Sequence, residues 1–441
     1  MTDGSNRVDW TSAAGAVLRG EIRVPGDKSV SHRAIMLAAL AEGSSRISGF
    51  LEGEDTRATA RAFAQMGVRI EAPRDNERIV HGVGLHGLKS TSAEIDCGNA
   101  GTGMRLLTGL LAGQAFDATL IGDESLSRRP MRRVIEPLTR MGARIDSREG
   151  GLPPLRIRGK RELCGIAYEL PVASAQVKSA ILLAGLYARG ETGVSEPHPT
   201  RDYTERMLMA FGWPIDFTPG SARLSGGHRL QATDVAVPAD FSSAAFFLVA
   251  ASIVEGSELV LCDVGINPRR TGLLQALRLM GADIAEANPR LLGGEAVADL
   301  IVRAAPLRGI DVPVELVPDM IDEFPALFIA AAVAQGTTRI QGAAELRVKE
   351  SDRIAVMAKG LRALGVRIEE TPDGAIIEGG ALQGGPVDSA GDHRCAMSFA
   401  VAGLCAATPV RIADCANVAT SFPGFVELAN GCGFALRGAA D

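Results

Sequence analysis

Six times along this chain, a helix-like segment ends in a large apolar residue, then Gly, then a strand-like run. The pieces are Met66-Gly67-Val68, Met141-Gly142-Ala143, Phe211-Gly212-Trp213, Met280-Gly281-Ala282, Leu364-Gly365-Val366 and Cys432-Gly433-Phe434. Successive glycines lie 75, 70, 69, 84 and 68 residues apart, so one unit is about 70 residues long. Glycine at this point is what a left-handed helix C-terminus requires.

A second piece also comes six times: a polar helix start, a run of small apolar residues, then a turn and a strand. The starts are Asp27-Lys28-Ser29, Gly98-Asn99-Ala100-Gly101-Thr102, Ser174-Ala175-Gln176, Asp240-Phe241-Ser242, Ile321-Asp322-Glu323 and Asp392-His393-Arg394. The runs behind them, such as 34–41, 180–188 and 326–334, are apolar nearly all round and predict helices buried on every side. Each unit thus holds one buried helix, one amphipathic helix and several strands. Aromatic residues make up only 4% of the chain, so these cores are built from small aliphatic side chains that allow close packing. A solenoid of independent α/β motifs is one arrangement of six such units. Buried helices that all start with polar, anion-friendly residues argue instead for N-termini that share a site.

The net charge is −6, so no global field draws the chain to nucleic acid or to an anionic membrane, and neither is expected as a partner. Anion binding must come from local basic clusters. Residues 1–10 are polar and lack a signal-peptide core, the longest apolar runs are too short to span a bilayer, and the chain reads as cytosolic. The seven cysteines are scattered, without a CxxC pair, and are expected as reduced thiols. No His pair has metal-ligand spacing.

The most pointed local cluster is Val24 to Arg33, where a Pro-Gly turn feeds a helix start carrying Lys28 and Ser29, with Arg33 one turn on. Orphan N–H groups, a hydroxyl and two cations suit a phosphate or carboxylate. A second glycine-rich helix entry, Asp96 to Arg105, contains Gly101, whose missing side chain allows close approach of a ligand. Arg128, Arg129, Arg132 and Arg133 surround Pro130 and Met131. In the C-terminal half, Asp319, Asp322 and Glu323 precede a buried helix, and Arg347, Lys349, Glu350, Asp352 and Arg353 alternate charge densely. Singly, each string also fits a capped helix or a solvated face.

Eight motifs in order, from Pro25-Gly26-Asp27-Lys28-Ser29 to Ala419-Thr420-Ser421-Phe422-Pro423, closely resemble the 5-enolpyruvylshikimate-3-phosphate (EPSP) synthase family. The intervening ones are Gly98–Arg105, Arg129-Pro130-Met131, Ser174–Ala180, Ile321–Pro325, Leu346–Arg353 and Asp392–Met397. The resemblance implies a two-domain inside-out α/β barrel with three βαββαβ repeats per domain. Domain one would be 1–23 plus 237–441 and domain two 24–236, with the active site in the cleft between them.

It also implies enolpyruvyl transfer from phosphoenolpyruvate to shikimate-3-phosphate in the shikimate pathway, by a monomer without a cofactor, and makes glyphosate an expected competitor. Lys28, Ser29, Arg33, Ser174, Gln176, Arg201, Asp322 and Lys349 would hold shikimate-3-phosphate. Lys28, Gly101, Arg129, Gln176, Arg353 and Arg394 would hold phosphoenolpyruvate, and Lys28, Asp322 and Glu350 would be catalytic. Many members carry lysine where this chain has Thr420, a change that the divergent bacterial branch shares with this chain, so one cation fewer is expected here. The related UDP-N-acetylglucosamine enolpyruvyl transferase family carries a reactive cysteine before Arg-Pro; Ile121 to Arg129 contains none. A barrel that only binds its ligands would be expected to have lost the carboxylates Asp322 and Glu350, which are present.

Overall fold

The computed structural model describes residues 8–15, 17–159 and 162–438. The two helix types predicted from sequence alternate along the chain. The first three pairs are α1 (Lys28–Leu40) and α2 (Glu54–Gln65), α3 (Gly101–Ala112) and α4 (Arg132–Arg140), α5 (Ala175–Gly185) and α6 (Tyr203–Ala210). The next three are α7 (Phe241–Ile253) and α8 (Gly272–Leu279), α9 (Phe324–Val333) and α10 (Arg353–Ala363), α11 (His393–Gly403) and α12 (Phe425–Gly431). All six predicted glycines follow the even-numbered helices with φ between +78° and +123°, the left-handed turn that only glycine enters at little cost.

The odd-numbered helices are the buried ones. Their starts are capped where a short acceptor is available: Asp27 accepts from the Val30 N–H, Ser174 from Val177, Asp240 from Ser242, and Asp392 from Arg394 and Cys395. α3 and α9 have no side-chain cap. At α9, Pro325 in the first turn removes one orphan donor.

The order of elements within a repeat is β-α-β-α-β-β, which corrects the expected β-α-β-β-α-β. In the second repeat, Ile95–Asp96 pairs parallel with Ala118–Ile121, and that strand pairs antiparallel with Leu152–Arg158. The hairpin partner Arg144–Arg148 completes the sheet. Parallel strands cannot be joined by a tight turn, so the buried helix makes the first crossover and the amphipathic helix the second. The closing pair is a simple hairpin.

Contacts divide the chain into two units. One holds the described residues of Met1–Pro25, Pro238–Leu291 and Ala296–Asp441; the other holds Gly26–Val237 and Leu292–Glu295. Strands from distant parts of the chain complete sheets near these divisions. Leu230–Gln231 fills the first-strand place beside Ala41–Ser48, and Arg19–Ile22 does the same beside Glu258–Gly265. Trp10–Ala13 completes the last sheet between Val410–Ala413 and Ala435–Gly438.

Each unit is an inside-out barrel, with helices within and sheets without. In the second unit α3 packs on α1 and α5; in the first, α7, α9 and α11 pack on one another. The first unit's core includes Trp10, Phe246, Phe247, Phe422 and Phe434 grouped around Phe425. Among the described residues, no helix is long and apolar enough to cross a membrane.

Candidate active site

In the unit formed by Gly26–Val237, three buried helices begin close together. Lys28 opens α1, and its Nζ lies 3.0 Å from Asp55 Oδ2 in the first turn of α2. Gln176 in the first turn of α5 reaches Thr102 Oγ1 of α3 at 3.4 Å. Gly103 of α3 is so close to α1 and α2 that a Cβ there would sit 3.1 Å from Thr59 Oγ1 and 3.6 Å from His32 Cε1. The His32 ring is buried with Nδ1 2.7 Å from Thr59 Oγ1. Burial, with the charges of Lys28 and Arg33, pushes it down to about 3, so it is neutral at physiological pH.

Arg33 is buried, and its donors are engaged inside the unit. Nε donates to Thr204 Oγ1 at 2.7 Å, Nη1 to the Ser29 carbonyl at 2.9 Å and Nη2 to Ser179 Oγ at 2.8 Å. Burial and the neighbouring charge of Arg201 push its guanidinium down to about 10, against the opposing pull of Glu205, Asp27 and Tyr203. It remains charged at neutral pH. Arg33 therefore braces the first turn of α1 against α5 and α6, while Arg201 sets a second cation nearby. Ser174 caps α5, its Oγ accepting from the Val177 N–H at 3.4 Å.

The start of α3 has the character of an anion seat. It lacks a side-chain cap, and a Cβ on Gly101 would lie 3.0 Å from Arg105 Nη1 and 3.1 Å from Arg129 Nη1. Two guanidinium groups thus crowd an uncapped N-terminus, where the helix dipole also favours negative charge. Arg129 Nη2 is aimed by Asn99 Oδ1 at 2.8 Å and Ser125 Oγ at 3.1 Å, and Asn99 in turn donates to Asp123 at 2.7 Å.

The other unit gathers Asp322, Lys349, Glu350, Arg353 and Arg394. Asp322 Oδ1 lies 3.5 Å from Lys349 Nζ and 3.6 Å from Arg353 Nη1, and its main-chain carbonyl accepts from Arg394 Nη1 at 3.2 Å. Arg353 is almost fully buried; Nη2 donates to Glu350 Oε2 at 2.6 Å and Nε to Asp392 Oδ2 at 2.8 Å. Burial alone would lower its pKa, but the carboxylates of Asp392, Glu350 and Asp322 outweigh that and raise it. For Asp392 the opposition runs the other way: burial raises its pKa, and Arg353 holds it below the ordinary carboxylate value. Thr420 is buried, its hydroxyl donating to the Asn417 carbonyl at 2.7 Å.

Several participants escape a reading of the sequence. Asp55 pairs with Lys28 across 27 residues, and Asn99 orients Arg129 across 30. Arg270, 52 residues from Asp322, reaches its Oδ2 at 3.3 Å. Asp240 and Asp392, legible only as helix starts, are also carboxylate partners of Arg270 and Arg353. The one local signal was Pro268-Arg269-Arg270, a proline beside paired arginines like that at Arg128–Pro130. Among the described residues, no group of three His, Cys, Asp or Glu is arranged to hold a metal ion.

Cations stand at helix N-termini in both units beside ion-paired carboxylates, an arrangement that suits an enzyme acting on small anions. The chain belongs to the EPSP synthase (3-phosphoshikimate 1-carboxyvinyltransferase) family, which it matches over residues 13–428. It is 67% identical over 435 residues to the 3-phosphoshikimate 1-carboxyvinyltransferase of Xanthomonas oryzae pv. oryzae (strain PXO99A), covering 99% of each chain. It is 66% identical over 427 residues to that of Xanthomonas campestris pv. campestris (strain B100), covering 97% of this chain and 98% of the relative. Among solved structures, an EPSP synthase from Acinetobacter baumannii superposes with a TM-score of 0.89 at 52% identity, over 98% of this chain and all of that one.

Proposed function

We infer that this chain transfers the enolpyruvyl group of phosphoenolpyruvate to the 5-hydroxyl of shikimate-3-phosphate, releasing phosphate, as a step of the shikimate pathway. The observation that carries the reading is the family match over nearly the whole chain, with Asp322 and Glu350 both present.

The 5-hydroxyl attacks C2 of phosphoenolpyruvate and gives up its proton, while C3 gains one and becomes a methyl group. The tetrahedral adduct then loses a C3 proton and phosphate, leaving the new enol ether. Asp322, Glu350 and Lys28 are assigned to these proton transfers. Lys349 beside Asp322 suits a group that must be held ionised next to an anionic substrate. Lys28, Ser29, Arg33, Ser174, Gln176, Arg201, Asp322 and Lys349 are assigned to shikimate-3-phosphate. In this structure Arg33 supports Ser29 rather than offering a free fork. Lys28, Gly101, Arg129, Gln176, Arg353 and Arg394 are assigned to phosphoenolpyruvate. Its carboxylate and phosphate suit guanidinium forks and the uncapped start of α3.

Seven free thiols fit a reducing cytoplasm, and scattered exposed apolar side chains such as Met209, Leu279 and Leu291 fit a monomer. Transfer to UDP-N-acetylglucosamine is not favoured by the relatives' assignments. The test is phosphate release from phosphoenolpyruvate with each acceptor in turn. Release with shikimate-3-phosphate only is expected; release with UDP-N-acetylglucosamine only, or with neither, would overturn the assignment.

A further inference from the structure

Arg270 stands two residues ahead of α8, outside every motif that the family resemblance rests on. We propose that Arg270 is a positioning residue for the carboxylate of Asp322, an inference that rests on the function assigned above.

Its contacts join the entries of three helices. Nη1 lies 3.3 Å from Asp322 Oδ2 and 3.3 Å from Glu323 Oε1, both just before α9. Nη2 lies 3.3 Å from Asp240 Oδ1, the cap of α7, and donates to Ser242 Oγ. Ser242 also bonds Glu323. The backbone that carries Arg270 is itself fixed. Its N–H donates to the Asn267 carbonyl at 2.8 Å, and the Gly272 N–H to the Asp319 carbonyl at 3.2 Å. Any side chain at Gly272 would collide, since a Cβ would sit 2.8 Å from the Leu316 carbonyl oxygen and 2.9 Å from Met320 Cβ. Arg269 Nη1 adds an ion pair to Asp319 at 3.3 Å. The start of α8 is therefore clamped to the segment that leads into Asp322.

The two oxygens of Asp322 face different cations. Oδ2 is held by Arg270, while Oδ1 faces Lys349 and Arg353. Glu323 and Arg394 also lie alongside, and Glu350 and Asp392 are paired with Arg353. Arg270 thus fixes the plane of the carboxylate from the side opposite Lys349 and adds a positive charge that favours its ionised form. The guanidinium reaches Asp322 and Asp240 from two nitrogens at fixed angles, a geometry that the point charge of an ammonium does not reproduce.

Arg270→Lys keeps the charge and loses this span. In the full-length protein its kcat should fall about tenfold, while calorimetric affinity for shikimate-3-phosphate stays within about threefold and the thermal midpoint is kept, as expected of lost orientation rather than lost binding. Arg270→Met removes the charge too, and the acid limb of its kcat–pH profile should move to higher pH. A wild-type kcat in Arg270→Lys, or parallel losses of kcat, affinity and thermal midpoint, would overturn the proposal, as would an unmoved acid limb in Arg270→Met. If the methionine variant does not fold, the lysine variant decides. Wild-type protein without turnover in the same assay would instead overturn the functional assignment, and this inference with it.

Discussion

At the scale of single residues, the assigned chemistry concentrates on two carboxylates held by arginine and lysine. Asp322→Asn and Glu350→Gln keep size and most hydrogen bonding but remove the ability to exchange a proton. Each should lower kcat by roughly 10²–10⁴-fold, the usual worth of a general acid or base, with shikimate-3-phosphate affinity largely kept. Steady-state rates beside calorimetric binding would check this, and near-wild-type turnover in both would remove the pair from the mechanism. Gly101 offers a second test. A methyl group there would press on the heads of Arg105 and Arg129, at 3.0 and 3.1 Å. Overpacking of this kind costs about 1–3 kcal/mol, and the longer anion has less room to shift. Glyphosate is therefore expected to inhibit the wild-type protein, and Gly101→Ala should weaken glyphosate more than phosphoenolpyruvate. Inhibition constants for both proteins decide it, equal losses for the two ligands being the contrary result.

At the scale of helices and strands, the repeat was open to reading because its signals are local. Each even-numbered helix is followed by a glycine with positive φ, and each odd-numbered one except α3, which begins at Ala100-Gly101, starts at a polar residue. Such features act over one turn and leave their mark in a few neighbouring positions. The glycines are not equivalent, however. A Cβ at Gly281 would meet only the Pro306 carbonyl oxygen at 3.6 Å, whereas at Gly365 it would strike Gln383 Cγ at 2.4 Å. Gly281→Ala should therefore cost about 1 kcal/mol from backbone strain alone. Gly365→Ala should cost more unless Gln383 swings away, which urea denaturation of the two variants would show. The strand order was not legible in the same way. Two-residue strands such as Ile95–Asp96 carry no alternation, and nothing local tells whether a strand is followed by a crossover or a hairpin.

At the scale of the whole chain, strands that complete several sheets come from segments far apart in sequence, as Trp10 pairing with Ile412 illustrates. Such pairing follows from topology and cannot be read from either segment alone. The same holds for the ion pairs and hydrogen bonds that aim the assigned residues. Lys28, Arg129 and Arg353 were visible as charges in motifs, but their partners Asp55, Asn99 and Asp392 lie 27, 30 and 39 residues away. Arg33 looked like a free fork for phosphate, and only packing reveals that Ser29, Ser179 and Thr204 take up its donors. The assigned reaction requires that a proton be delivered and withdrawn while both anions are held.

That requirement is the core of the account, and running the reaction in deuterium oxide tests it most directly. If C3 of phosphoenolpyruvate becomes a methyl group in a tetrahedral adduct and then loses a proton, solvent deuterium must appear in the vinyl group of the product. Mass spectrometry of the product formed with shikimate-3-phosphate should show it, at a rate greatly reduced in Asp322→Asn or Glu350→Gln. A product free of vinyl deuterium would mean direct displacement without the adduct, and would contradict the roles given to both carboxylates.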